Sequence, residues 1–116
     1  MKYLIFDLDD TLYSTQDRLD DVTPNYQTMR LFPGVLEVLN LGNVTNILVT
    51  QGDSDVQNKK IDTLGIRKYF TEIHIVPKPE DKERIFKDIL KHQSNLYQTL
   101  SNRMIEISRG FLRRSE

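Results

Sequence analysis

Short apolar runs alternate with amphipathic stretches along this chain, and that alternation predicts an α/β fold. Tyr3-Leu4-Ile5-Phe6 is a run of strand formers closed by Asp7, the pattern of a strand buried on both faces in a parallel sheet. Polar residues then dominate from Tyr13 to Met29 around Pro24, so residues 13–31 read as an irregular flap. Pro33 fits a helix start, and Val35, Leu36, Val38, Leu39 and Leu41 line one side of a short helix ending at Gly42.

A second strand is expected at Asn46–Thr50, broken by Gln51-Gly52-Asp53, where glycine lets the backbone turn sharply or approach a ligand. A helix through Val56, Lys60, Ile61 and Leu64 closes at Gly65. Ile73–Val76 is the third strand, stopped by Pro77 and Pro79; Asp81 then caps a helix carrying Ile85, Phe86, Ile89 and Leu90. Such βαβ units imply a parallel sheet with helices packed on it and ligands bound at the C-terminal ends of the strands. From Ser94 to Glu116 the apolar residues Leu96, Leu100, Met104, Ile107 and Phe111 recur at helical spacing, so residues 94–116 read as a helical tail without a fourth strand.

Composition narrows the class. With 116 residues, 38% hydrophobic and 28% charged, the chain suits one compact soluble domain. No stretch is long and apolar enough to span a bilayer, and the N-terminus runs into acidic residues instead of a signal-peptide cleavage site. The absence of cysteine excludes disulfides, thiolate metal sites and a cysteine nucleophile, and it is compatible with a cytoplasmic address. Up to Gln57 there are three Lys/Arg against nine Asp/Glu, and from Asn58 thirteen against eight. Solvated faces and helix-end charges account for this polarity, with an acidic half that holds a cation as the sharper reading; no dense basic run suggests nucleic acid.

The chemistry concentrates at the end of the first strand. Asp7 and Asp9 stand two residues apart there, a spacing that ordinarily points both carboxylates the same way. An ionised Asp7 can attack phosphorus while Asp9 moves the proton of the leaving oxygen, and a divalent cation at the pair offsets the repulsion between carboxylate and phosphate.

The segment Phe6-Asp7-Leu8-Asp9-Asp10-Thr11-Leu12 resembles the DxDxT signature of the haloacid dehalogenase superfamily. The resemblance runs from Tyr3 to about Leu90 and includes Leu64-Gly65-Ile66 before Tyr69-Phe70. It implies a three-layer, Rossmann-like core whose C-terminal strands are shortened or missing, with Asp7 as nucleophile and Asp9 as general acid/base. Thr50 matches the second motif, its hydroxyl and the neighbouring backbone of Gln51 and Gly52 holding phosphate oxygens. Lys82, with Lys78 as the alternative, matches the third-motif lysine. Mg2+ is the implied cofactor, held by Asp7 and Asp9.

The fourth motif, an acidic pair after a fourth strand, has no match; Asn102 and Glu106 in Ser101–Glu106 are the nearest candidates and scan better as helix-surface residues. The flap is too short for a helical cap, so the resemblance is to capless members, whose open pockets suit a phosphorylated small molecule or macromolecule. The tail helix either covers the sheet, which is favoured, or forms a homodimer interface. His74 reads as a structural or edge strand histidine and His92 as a helix-surface residue; Lys59 and Lys60 could approach a phosphate at the pocket rim, with a solvated helix face the favoured reading. Arg109, Arg113 and Arg114 form a basic terminal patch. The expected function is Mg2+-dependent hydrolysis of a phosphate monoester through an aspartyl-phosphate. The alternative is a truncated, non-catalytic relative serving as a binding or regulatory module.

Overall fold

The computed structural model describes residues 2–91. The tail residues singled out above (Leu96 to Phe111, Asn102, Glu106, His92 and the terminal arginines) lie outside the described residues. Three strands, β1 (Lys2–Phe6), β2 (Val44–Gln51) and β3 (Glu72–Val76), form a parallel sheet in the order β1-β2-β3. Between them run α1 (Val35–Leu39), α2 (Ser54–Leu64) and a 3₁₀ turn at Arg67–Tyr69, and α3 (Pro79–Lys91) follows β3. No helix among the described residues is long and apolar enough to cross a membrane.

Strand alternation sorts the apolar side chains onto two faces. Leu4, Phe6 and Leu48 join Val35, Leu39, Ile61, Ile66 and Phe70 in the larger cluster, beneath α1 and α2. Ile5, Ile47 and Val49 point the other way and meet Ile85, Phe86 and Ile89 of α3. The sheet is therefore sandwiched between helices, an α/β arrangement compatible with a Rossmann-like fold.

The helix ends follow local chemistry. The Asp53 carboxylate accepts the Val56 N–H at 3.0 Å and caps α2. Gly65 ends it at φ 70°, the left-handed conformation glycine adopts at little cost. Three expectations need correction. Not every apolar residue along α1 turns inward: Val35 and Leu39 are buried and Val38 packs against the cluster, whereas Leu36 and Leu41 are 45% and 52% exposed. Asp81 does not cap α3: the helix opens at Pro79, whose fixed φ and missing N–H suit a first helical position, and Asp81 instead takes a salt bridge from Arg84 at 2.8 Å. The flap is not wholly a surface loop, since Tyr13 and Met29 are buried in the larger cluster and Tyr26 and Leu31 pack against it. Phe32 N–H donates to Leu12 O at 2.8 Å and closes the flap's base, while its tip turns back between Arg18 and Pro24.

Candidate active site

Phe6 pairs with Leu48 and Thr50 with Ile75, so Asp7 and Thr50 both fall at the C-terminal edge of the sheet. Asp7 Oδ1 accepts the Leu8 N–H and the Lys82 Nζ, each at 2.8 Å. Lys82 reaches it from the first turns of α3, with its backbone N–H bonded to Lys78 O at 3.4 Å. Of the two candidate lysines, Lys82 is thus the one in contact with Asp7; Lys78 is exposed at the helix entrance.

Asp9 sits in a denser environment. Its Oδ1 takes the Lys60 Nζ at 2.8 Å and the Tyr13 hydroxyl, and its Oδ2 takes Gln57 Nε2 at 3.0 Å. Burial pushes the Asp9 carboxyl up, but the donors Lys60, Tyr13 and Gln57 outweigh it and leave its pKa below the ordinary 3.8. Burial, followed by the bond to Asp9, pushes the Tyr13 phenol well above its ordinary value, so it remains a protonated donor at neutral pH. Lys60 Nζ also lies 5.6 Å from the centre of the Tyr13 ring, within cation–π range. Asp10, next in sequence, faces the flap instead: at φ 58° it accepts the Thr15 N–H at 2.9 Å and fixes the turn.

Gln57 connects this cluster to β2, because its Nε2 also reaches Thr50 Oγ1 at 2.8 Å and Gln51 O at 3.3 Å. Thr50 is completely buried and backs onto Gln57. The Gly52 N–H donates to Val76 O at 2.9 Å, so this N–H is not available as the phosphate donor expected of it. Gly52 has a different task. At φ 153° it passes under Gln57, and a Cβ there would stand 2.9 Å from Gln57 Cδ. Gln51 is exposed, its side chain directed to Pro77 O at 3.5 Å.

Lys60 corrects the expectation of a solvated helix face: the residue is 8% exposed. Gln57 and Tyr13 were not singled out at all. A signal was present in the sequence. Residues 57, 60, 61 and 64 follow the i, i+3, i+4, i+7 spacing of one helix face, so Gln57 and Lys60 share the buried face of Ile61 and Leu64. Polar groups on such a face require partners. Asp9 supplies one to each.

A magnesium ion is implied by the resemblance, and the side chains can be tested against it. The Asp9 carboxylate fits a cation poorly: Oδ1 is filled by Lys60 and Tyr13, one acceptor site of Oδ2 is left beside Gln57, and an ion there would stand against the Lys60 ammonium. The Asp7 carboxylate carries an ammonium as well. His74 lies in β3 with Nε2 2.9 Å from Glu72 Oε1, away from this cluster and consistent with a structural place in the strand.

Compared with known protein families, curated proteins and solved structures, the chain matches none of them. The resemblance to the haloacid dehalogenase superfamily is carried by the motif residues alone.

Proposed function

We propose that the chain is a phosphate monoester hydrolase with a haloacid dehalogenase-like core, acting through Asp7. One observation carries the reading: a carboxylate at the C-terminal edge of a parallel sheet has a lysine ammonium 2.8 Å away, two residues before a second carboxylate. The Lys82 ammonium has three donors, so the contact to Asp7 leaves donors for a phosphate oxygen.

In this reading a carboxylate oxygen of Asp7 attacks phosphorus, the ester P–O bond breaks, and the departing oxygen takes a proton from solvent. Water then attacks the aspartyl-phosphate, Asp9 accepts the water proton, and the Asp7–phosphorus bond breaks to release phosphate. The lowered pKa of Asp9 suits the base of the second step better than the acid of the first. A cytoplasmic site of action fits the cysteine-free composition.

The engagement of Asp9 by Lys60, Tyr13 and Gln57 favours a second reading, a module that binds a phosphorylated partner without turning it over. Steady-state hydrolysis of an aryl phosphate separates the two. The hydrolase reading expects turnover in the wild type that disappears in Asp7→Asn, whereas equal inertness of both proteins favours the module.

A further inference from the structure

Gln57 is 2% exposed on α2, and its side-chain amide touches Asp9, Thr50 and the Gln51 carbonyl together. An ionised Asp9 carboxylate accepts and cannot donate, so the amide must face it with Nε2. Its N–H groups run 3.0 Å to Asp9 Oδ2 and 2.8 Å to Thr50 Oγ1, with the Gln51 carbonyl a longer contact at 3.3 Å. The loop beneath is shaped to this side chain. Gly52 has φ 153°, and a Cβ there would stand 2.9 Å from Gln57 Cδ and 3.0 Å from Cγ, so the chain forgoes a side chain where the amide passes.

The donors are divided unevenly between the two oxygens of Asp9. A carboxylate offers about four lone-pair sites. Among the described donors, Lys60 and Tyr13 fill Oδ1, Gln57 takes one site of Oδ2, and one acceptor site of Oδ2 is left beside it. The Asp9 side chain is 31% exposed, so water has access to it.

We propose that Gln57 is a positioning residue for the second step of the hydrolysis, tying Oδ2 of Asp9 to the edge of β2 and so aiming its remaining acceptor site at the attacking water. This deepens, and rests on, the reading of Asp7 as nucleophile and Asp9 as base. In that step the water oxygen bonds to phosphorus, its proton passes to Asp9 Oδ2, and the bond between phosphorus and Asp7 breaks to release phosphate. Oδ1, already bonded to an ammonium and a phenol, is the poorer acceptor for that proton. The bond to Thr50 anchors the other side of the amide at the sheet edge that also carries Asp7. With the amide removed, Oδ1 keeps its two donors and Oδ2 loses its direction. The first step, whose leaving oxygen is protonated by solvent, is untouched.

Gln57→Met keeps the length of the side chain and removes both N–H donors. The test loads the protein with para-nitrophenyl phosphate, removes the ester, and follows the loss of the phosphoryl group from Asp7 by acid quench and peptide mass spectrometry, beside steady-state kcat and KM. The proposal expects that group to persist about 10- to 100-fold longer in Gln57→Met than in the wild type. It expects kcat to fall while kcat/KM, set by the first step, is unchanged. In an Asp9→Asn background Gln57→Met is expected to add no further delay, because its effect passes through Asp9. Gly52→Ala, which pushes Gln57 aside without removing its amide, is expected to lengthen the same lifetime and decides the matter if Gln57→Met does not fold. An unchanged lifetime, kcat and kcat/KM falling together, or an equal added delay without the Asp9 carboxylate overturns the role of Gln57 and spares the nucleophile. A wild type that never carries a phosphoryl group on Asp7 overturns both.

Discussion

Replacing Lys60 with Met removes an ammonium from Asp9 while keeping a side chain of similar reach, and it isolates the electrostatic core of the site. In the wild type the Lys60 and Asp9 side chains are 10% and 31% exposed and 2.8 Å apart. A fully buried pair broken on one side costs about 3–5 kcal/mol. Asp9 keeps Tyr13 and Gln57 and some access to water, so the expected loss is nearer the value of one charged hydrogen bond, about 2 kcal/mol at pH 7. For a domain of this size that is a fall in Tm of about 8 °C.

The pH dependence follows from the direction of the Asp9 shift. Its folded pKa lies below the unfolded 3.8, so the stabilisation is present above that value and is lost as pH falls through the folded pKa. In Lys60→Met, burial acts against fewer donors and the folded pKa rises, so the variant has less stabilisation to lose on acidification. Urea unfolding of both proteins from pH 7 into the acid range should show the gap narrowing as pH falls below 3.8. A variant as stable as the wild type at pH 7, or a gap that does not change with pH, refutes the assignment of Lys60 as the partner of ionised Asp9.

Gly52→Ala places a Cβ 2.9 Å from Gln57 Cδ at a φ of 153°, and is expected to lower stability by about 1–3 kcal/mol in thermal melts. Gly42→Ala meets nothing within 4 Å and serves as the control. Because lysine ammoniums sit against both carboxylates, millimolar magnesium chloride is expected to move Tm by less than about 1 °C. A larger shift, abolished by Asp7→Asn, would show an ion displacing a lysine.

The strands were legible in the sequence because each is a short apolar run with punctuation at its end. Tyr3–Phe6 ends at Asp7 and Ile73–Val76 at Pro77, and the structure extends Asn46–Thr50 only to Val44–Gln51. The start of α3 was misread because Pro79 served equally as a strand stop and as a first helical residue, and its neighbourhood, not its identity, decides between them. Leu36 and Leu41 were misplaced because a helix of five residues cannot bury the whole set of leucines and valines that surrounds it.

For the site, Asp7 and Lys82 were legible as motif positions, and the contact between them comes from α3 beginning early enough to carry Lys82 over the end of β1. Gln57 and Lys60 were hidden for a different reason. Polar residues on a helix are ordinarily read as its wet side, and only the partner, Asp9, fifty-one positions from Lys60 in the chain, makes their burial affordable. Gly52 was recognised as a special backbone position, but its role is to make room for Gln57.

The central claim is that Asp7 forms a bond to phosphorus. Acid-quenching the protein during turnover of a reactive phosphoryl donor such as acetyl phosphate, then locating any added phosphoryl group by peptide mass spectrometry, tests it most directly. The account predicts one phosphoryl group on Asp7 in the wild type and none in Asp7→Asn. A wild type that hydrolyses the donor with Asp7 unmodified throughout, or one that carries the phosphoryl group on another residue, contradicts it.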